Sequence, residues 1–123
     1  MVSIVHFDIG ADDPSRAKGF YEGLFNWKID FLEGPDDYYM IETGGINGEF
    51  GITGGISKRE NPDLNIIPFI GVPSIDKYVE KVEELGGSVI EAMKVVPGSG
   101  YLAVCKDTEN NIFGLWQEDM SAI

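Results

Sequence analysis

The chain of 123 residues has one cysteine, one histidine and few cations, with 9 Lys and Arg against 21 Asp and Glu. A single thiol, Cys105, excludes any disulfide within the chain. It lies in the apolar run YLAVCK with no cationic neighbour in sequence, so it reads as a small buried hydrophobe in a strand rather than a nucleophile. The formal net charge of −12 repels phosphate backbones, and no basic stripe counters it. Neither nucleic acid nor an anionic membrane surface is therefore an expected partner. No apolar stretch approaches the length of a membrane span, and MVSIVHFDIG lacks the basic start and long apolar run of a secretory signal. A cytoplasmic location is expected. GGINGEFG has glycines but no helix after it, which argues against a nucleotide site.

What the chain does have is an internal repeat. HFDIGADDPSRAKGFYEGLFNWKI in the first half matches IPFIGVPSIDKYVEKVEELGGSVI in the second. Ile9-Gly10 aligns with Ile70-Gly71, and Leu24 with Leu85, at an offset of 61 (70 − 9). Further on, Tyr38 aligns with Tyr101, and Phe50-Gly51-Ile52 with Phe113-Gly114-Leu115, at an offset of 63 (113 − 50).

Each half reads as a strand, a helix and three more strands. In the first, residues 3–9 alternate around Val5, Phe7 and Ile9. Asp13-Pro14 supplies a capping side chain and a proline suited to the first helical position. Ala17, Phe20, Tyr21 and Leu24 then form one apolar stripe, expected to cover a sheet. Strands are predicted at 27–32, 38–43 and 49–53, the last being EFGIT. In the second half a strand at 66–72 leads to Ser74 as cap and a helix with Ile75, Tyr78, Val79, Val82 and Leu85 on one face, ended by Gly86. Strands at 88–93, 101–106 and 112–117 follow. GGISKRENPDLN, 54–65, reads as the connection, with module one at about 1–57, a linker at about 58–64 and module two at about 65–123. EGPDD, 33–37, marks a tight turn, and KVVPGSG, 94–100, a longer loop able to cover a pocket. Helices with one apolar face and half-sheets covered on one side make an α+β domain.

The motifs behind this arrangement span almost the whole chain. The first half carries His6, Phe7, Ile9, Asp13, Pro14, Arg16, Ala17, Phe20, Tyr21, Phe25 and Trp27 in the order H-F-x-I … D-P-x-R-A-x-x-F-Y-x-x-x-F-x-W. The second carries L-G-G-x-V at 85–89, P-G-x-G-Y at 97–101 and D-x-x-x-N-x-F-G-L-W at 107–116. With them the chain resembles the vicinal-oxygen-chelate superfamily of glyoxalases, bleomycin-resistance proteins and extradiol dioxygenases, in the subgroup related to lactoylglutathione lyase. The resemblance implies one glyoxalase-like domain, residues 1–123, of two tandem βαβββ modules whose curved sheets enclose a shared cleft. It also implies a homodimer and a small-molecule ligand.

Metal enzymes of that superfamily take their ligands from four related strand positions. Carried over residue by residue, these fall on His6, Gly51, Ile67 and Gly114, so three of the four have no donor atom. Glu49, two residues before Gly51, is the other carboxylate in reach; His6 and Glu49 are ligands only if a metal binds. The expectation is a pocket of His6, Asp8, Glu49, Gly51, Ile67, Phe69, Gly114 and Trp116 that binds a small organic molecule with no metal cofactor. The alternative is a lyase, isomerase or dioxygenase using one divalent ion, or acid–base catalysis by His6. His6 is either a base tuned by Asp8 or a histidine merely hydrogen-bonded in a wet cleft. Gly51 and Gly114 either open space beside Trp116 or mark sharply coiled strands with Trp116 in a core. Tyr38, Tyr39 and Tyr101 either offer hydroxyls to a ligand or pack their rings.

Overall fold

The computed structural model describes residues 1–34 and 37–123. The turn expected at 33–37 falls partly on residues 35 and 36, outside the described residues. The chain divides into two compact units, Val5–Ile67, and Pro68–Ile123 together with Met1–Ile4. Each unit is built on a βαβββ module.

The first module runs β1 (Ile4–Ala11), α1 (Pro14–Phe25), β2 (Lys28–Leu32), β3 (Tyr38–Glu42) and β4 (Thr53–Lys58). Its strands lie in the order β2-β3-β4-β1, antiparallel except for the parallel pair β1 and β4. Asp13 caps α1 by accepting the Arg16 N–H at 3.2 Å, and Asn26 closes the helix at φ 57°. Strand alternation sends Phe7, Ile9 and Ala11 toward α1, where they join Ile29, Ile41, Ile56, Trp27, Tyr21 and Tyr39 in the core.

The second module runs β5 (Ile66–Gly71), α2 (Ile75–Glu84), β6 (Ser88–Val96), β7 (Gly100–Lys106) and β8 (Ile112–Glu118). Here β5 is parallel to β8, β7 joins β8, and β6 is the edge. Ser74 caps α2 through the Lys77 N–H, and Gly86 follows the helix at φ 98°. Val72, Ile75, Ala103, Cys105 and Leu115 form the core, with Tyr78, Val79 and Val82 of α2 against them. Cys105 is fully buried and free, and burial followed by the nearby Glu83 charge raises its thiol pKa, so it is packing rather than chemistry. Among the described residues no helix is long and apolar enough to cross a membrane.

Several sequence expectations shift. The fourth strand is Thr53–Lys58, not 49–53, so residues 54–58 are sheet rather than linker. EFGIT alternates like a strand, but Phe50 is 103 % exposed and makes only an isolated bridge to Gly44 across a turn. Between β1 and β3 the chain needs glycine instead: a Cβ at Gly54 would stand 2.5 Å from the Phe7 ring, and one at Gly55 would overlap the Tyr38 hydroxyl. The expected loop at 94–100 is a short turn, because β6 continues to Val96 and β7 begins at Gly100. α1 turns only Ala17 and Tyr21 of its expected stripe toward the core, leaving Phe20 at 62 % and Leu24 at 59 % exposure. Leu85 is likewise exposed, lying past the last turn of α2.

The strand register also corrects the repeat. Asp8 pairs with Gly55, and Phe69 with Gly114. The first strands keep the offset of 61 (69 − 8), but the last strands are related by 59 (114 − 55). The counterpart of Gly114 is therefore Gly55, not Gly51.

This register is tested by two truncations. Ile56→Ala, in the core, lowers the unfolding free energy by about 2–5 kcal/mol. Phe50→Ala, at the exposed tip, changes it by less than about 0.5 kcal/mol. Urea unfolding followed by circular dichroism measures both, and a larger loss at Phe50 contradicts the strand assignment.

Candidate functional site

The face of the first sheet turned away from α1 carries the polar residues. Alternation along β1 places His6 and Asp8 there, with Phe7 and Ile9 on the core side. Parallel pairing sets Thr53 opposite His6 and Gly55 opposite Asp8. From β3, Tyr38 pairs with Ser57, one side-chain repeat beyond Gly55. Because Gly55 has no side chain, the Tyr38 phenol lies across it and reaches Asp8.

The Tyr38 hydroxyl donates to Asp8 Oδ1 at 2.9 Å. His6 Nε2 is 3.0 Å from the same oxygen and 3.2 Å from the Tyr38 hydroxyl oxygen. On the other side of the ring, Nδ1 is 3.1 Å from Thr53 Oγ1. A carboxylate only accepts, so the hydrogen-bond pattern assigns the imidazole proton to Nε2, donating to Asp8, while Nδ1 accepts from the Thr53 hydroxyl. The His6 and Asp8 side chains are 24 % and 28 % exposed, sheltered but within reach of solvent. Burial, then the Asp8 negative charge and the hydrogen bond to it, raise the Tyr38 pKa far above the ordinary phenol value. Tyr38 is thus a fixed donor.

The other expected pocket residues are distributed as follows. Glu49 and Gly51 lie in the segment between β3 and β4, both exposed. Glu49 folds onto its own turn, its carbonyl accepting the Gly45 N–H at 2.7 Å and its carboxylate lying against the Gly45 Cα. The Gly51 N–H donates to Thr43 O at 3.0 Å. In the second module, Gly114 does not open space: a Cβ there would run into the Phe69 ring, which is 5 % exposed. Ile67 is half-buried on β5, and Trp116 is half-buried opposite Leu102.

Tyr38, Thr53 and Gly55 complete the cluster that sequence reasoning had begun with His6 and Asp8. The signal for Thr53 and Gly55 was the T-G-G run, once it is read as a strand instead of a connection, while Tyr38 was already among the candidate hydroxyls. A hollow of about 340 Å³ between Asp12, Arg59, Glu60, Asn61 and Pro62 is a separate feature. It sits past the far end of β1, about 20 Å along the strand from His6 at roughly 3.3 Å per residue.

The donor set does not fit a divalent ion of the kind the resemblance implied. With the corrected register the related positions are His6, Gly55, Ile67 and Gly114, and three still have no donor atom. Among the described residues no three His, Cys, Asp or Glu side chains come together as a metal site. His6 and Asp8 make a pair, and Tyr38 bonds to both.

Residues 3–115 match the model of the Glyoxalase/Bleomycin resistance protein/Dioxygenase superfamily. Protein CFP32 of Mycobacterium tuberculosis, provisionally classed as a glyoxylase, is 29 % identical over 115 residues, and its Mycobacterium bovis counterpart matches equally. The alignment covers 89 % of this chain and spans 43 % of the length of those relatives. Among solved structures, a Streptomyces coelicolor methylmalonyl-CoA epimerase variant in complex with 2-nitronate-propionyl-CoA superposes with a TM-score of 0.72. It is 11 % identical, and 100 % of this chain and 99 % of that one are covered. A hypothetical protein of Bacillus halodurans superposes at 0.71 with 18 % identity, covering 99 % and 98 % of the two chains. These similarities show the glyoxalase-like fold.

The raised Tyr38 pKa has a consequence at alkaline pH. Above about 10 the unfolded chain releases the Tyr38 proton while the folded chain keeps it, so the native state binds more protons and stability falls as pH rises. In Tyr38→Phe this contribution is absent and the decline above about pH 10 is shallower. At neutral pH the variant is less stable by about 1–3 kcal/mol, because Asp8 loses a donor. Urea unfolding of both proteins at a series of pH values measures each effect, and identical alkaline slopes contradict the assignment.

Proposed function

The chain belongs to the Glyoxalase/Bleomycin resistance protein/Dioxygenase superfamily, and from that premise we propose that it binds a small organic molecule against the sheet face of His6, Asp8 and Tyr38, without a metal ion. The observation that carries this reading is the Tyr38 hydroxyl. It lies where a side chain on residue 55 would project, and it ties Asp8 and His6 into one hydrogen-bonded set. A catalytic divalent ion takes about three protein ligands, and this set supplies two donors of the usual kind. A superfamily-type lyase, isomerase or dioxygenase reaction through a metal is correspondingly disfavoured. Catalysis by His6 alone has less support than binding, since Asp8 and Thr53 stand at its two ring nitrogens. The net charge of −12 favours a cationic or neutral ligand over an anion. The epimerase of the same fold was solved holding an organic ligand, which supports a binding role by analogy of fold alone.

The reading includes a homodimer. α1 exposes Phe20, Leu24 and Phe25, and its charged residues are Arg16, Lys18 and Glu22. In a chain of net charge −12 this is a surface on which a second copy is not repelled.

Two measurements test these proposals. Protein prepared without a histidine tag, incubated with nickel, zinc, manganese or ferrous iron and then dialysed, retains no stoichiometric ion by mass spectrometry. About one ion per chain, lost in His6→Ala, sinks the metal-free reading and revives the lyase and dioxygenase alternatives. Sedimentation equilibrium gives a mass of twice 13.5 kDa; a single-chain mass at high protein concentration removes the dimer.

A further inference from the structure

Within the His6 cluster the donors are engaged and one acceptor is open. The Tyr38 hydroxyl and His6 Nε2 both point to Asp8 Oδ1, at 2.9 and 3.0 Å. The Thr53 hydroxyl is 3.1 Å from His6 Nδ1. The second carboxylate oxygen, Asp8 Oδ2, receives no hydrogen bond from any described residue, although the side chain is 28 % exposed. The ion pairs of Lys18, Lys28 and Arg59 go elsewhere, to Glu22, Asp30 and Asp12. Asp8 is thus held by two donors on one oxygen and presents the other outward, beside an imidazole and a phenol that are fixed in orientation.

We infer that the ligand bound at this face is an organic cation, an amidinium, guanidinium or ammonium, whose N–H groups donate to Asp8 Oδ2. The inference rests on the small-molecule reading proposed above and names the class of molecule. A ligand that only accepts hydrogen bonds has no open donor to meet in the cluster. A neutral donor to Oδ2 has only the ionised acceptor to strengthen its hydrogen bond. A cation adds charge–charge attraction to the carboxylate and is favoured by the field of a −12 chain. His6 and Tyr38 act as positioning residues: their hydrogen bonds hold Asp8 Oδ1 and so aim Oδ2. The Tyr38 ring supplies an aromatic surface beside the carboxylate, suited to a planar cation.

His6 is the sole histidine, so its two ring C–H signals are identifiable in a one-dimensional proton spectrum. Three probes of matched shape, benzamidinium, benzamide and benzoate, are titrated into the full chain while those signals are followed. Benzamidinium is expected to give a saturable shift with affinity at least about ten-fold higher than benzoate, and the preference weakens with added salt. Asp8→Asn, of the same size without the charge, loses that preference while still binding benzamide. Should Asp8→Asn fail to fold, the comparison of the three probes in the unaltered chain decides alone. Benzoate binding as tightly as benzamidinium, or a preference unchanged in a folded Asp8→Asn protein, overturns the cationic class and leaves the small-molecule reading intact. No saturable shift with any probe overturns both.

Discussion

The parallel pairing of β1 with β4 is the constraint on which the first module depends, and two adjacent glycines permit it. Gly54 and Gly55 face opposite sides of the sheet, and each is covered by a ring from a neighbouring strand: Phe7 over Gly54 on the core side, Tyr38 over Gly55 on the polar side. Moving this pairing by one residue exchanges the faces, sending Ile56 out of the core and setting a side chain against the Tyr38 phenol. Core packing and site geometry are therefore consequences of one register. The same two positions that close the hydrophobic core give Asp8 its second donor.

That coupling explains why much of the fold was legible in the sequence and this strand was not. The Asp13-Pro14 and Ser74 caps, the alternation of β1 and β8, and the amphipathic α2 are local signals, and each lies where its pattern placed it. β4 has no such local signal. Glycine is depleted in strands, so T-G-G-I-S-K looks like a connection, while E-F-G-I-T imitates a strand with exposed Phe50 and Ile52. What makes glycine right at 54 and 55 is two aromatic rings, one 47 residues before Gly54 and one 17 before Gly55, and no window along the chain contains that information. α1 went astray for the opposite reason: Phe20 and Leu24 have the spacing of a buried stripe, yet Ala17 and Tyr21 already fill the space above the sheet.

The candidate site divides along the same line. His6 and Asp8 stand out because they alternate on one strand, and alternation is local. Thr53 and Tyr38 join them through pairings across the sheet, so their roles follow only from the corrected register. Glu49 was drawn in because a strand at 49–53 would put it two residues before Gly51 on the same face, but it belongs to the turn that precedes β4. The lack of a donor atom at three of the four related strand positions is unaffected by the change from Gly51 to Gly55, because both residues are glycine.

The two modules solve one steric problem with different chemistry. Gly55 and Gly114 occupy equivalent places in their sheets, and each is covered by an aromatic side chain. Over Gly55 the cover is Tyr38 from β3, whose hydroxyl bonds Asp8; over Gly114 it is Phe69 from β5, at the position equivalent to Asp8 itself. The offset of 61 relates His6 to Ile67 and Asp8 to Phe69, so these two polar residues of the first strand have apolar counterparts in the second module. The same backbone geometry thus ends in a hydrogen-bonded cluster in the first module and in hydrocarbon packing at the equivalent place in the second.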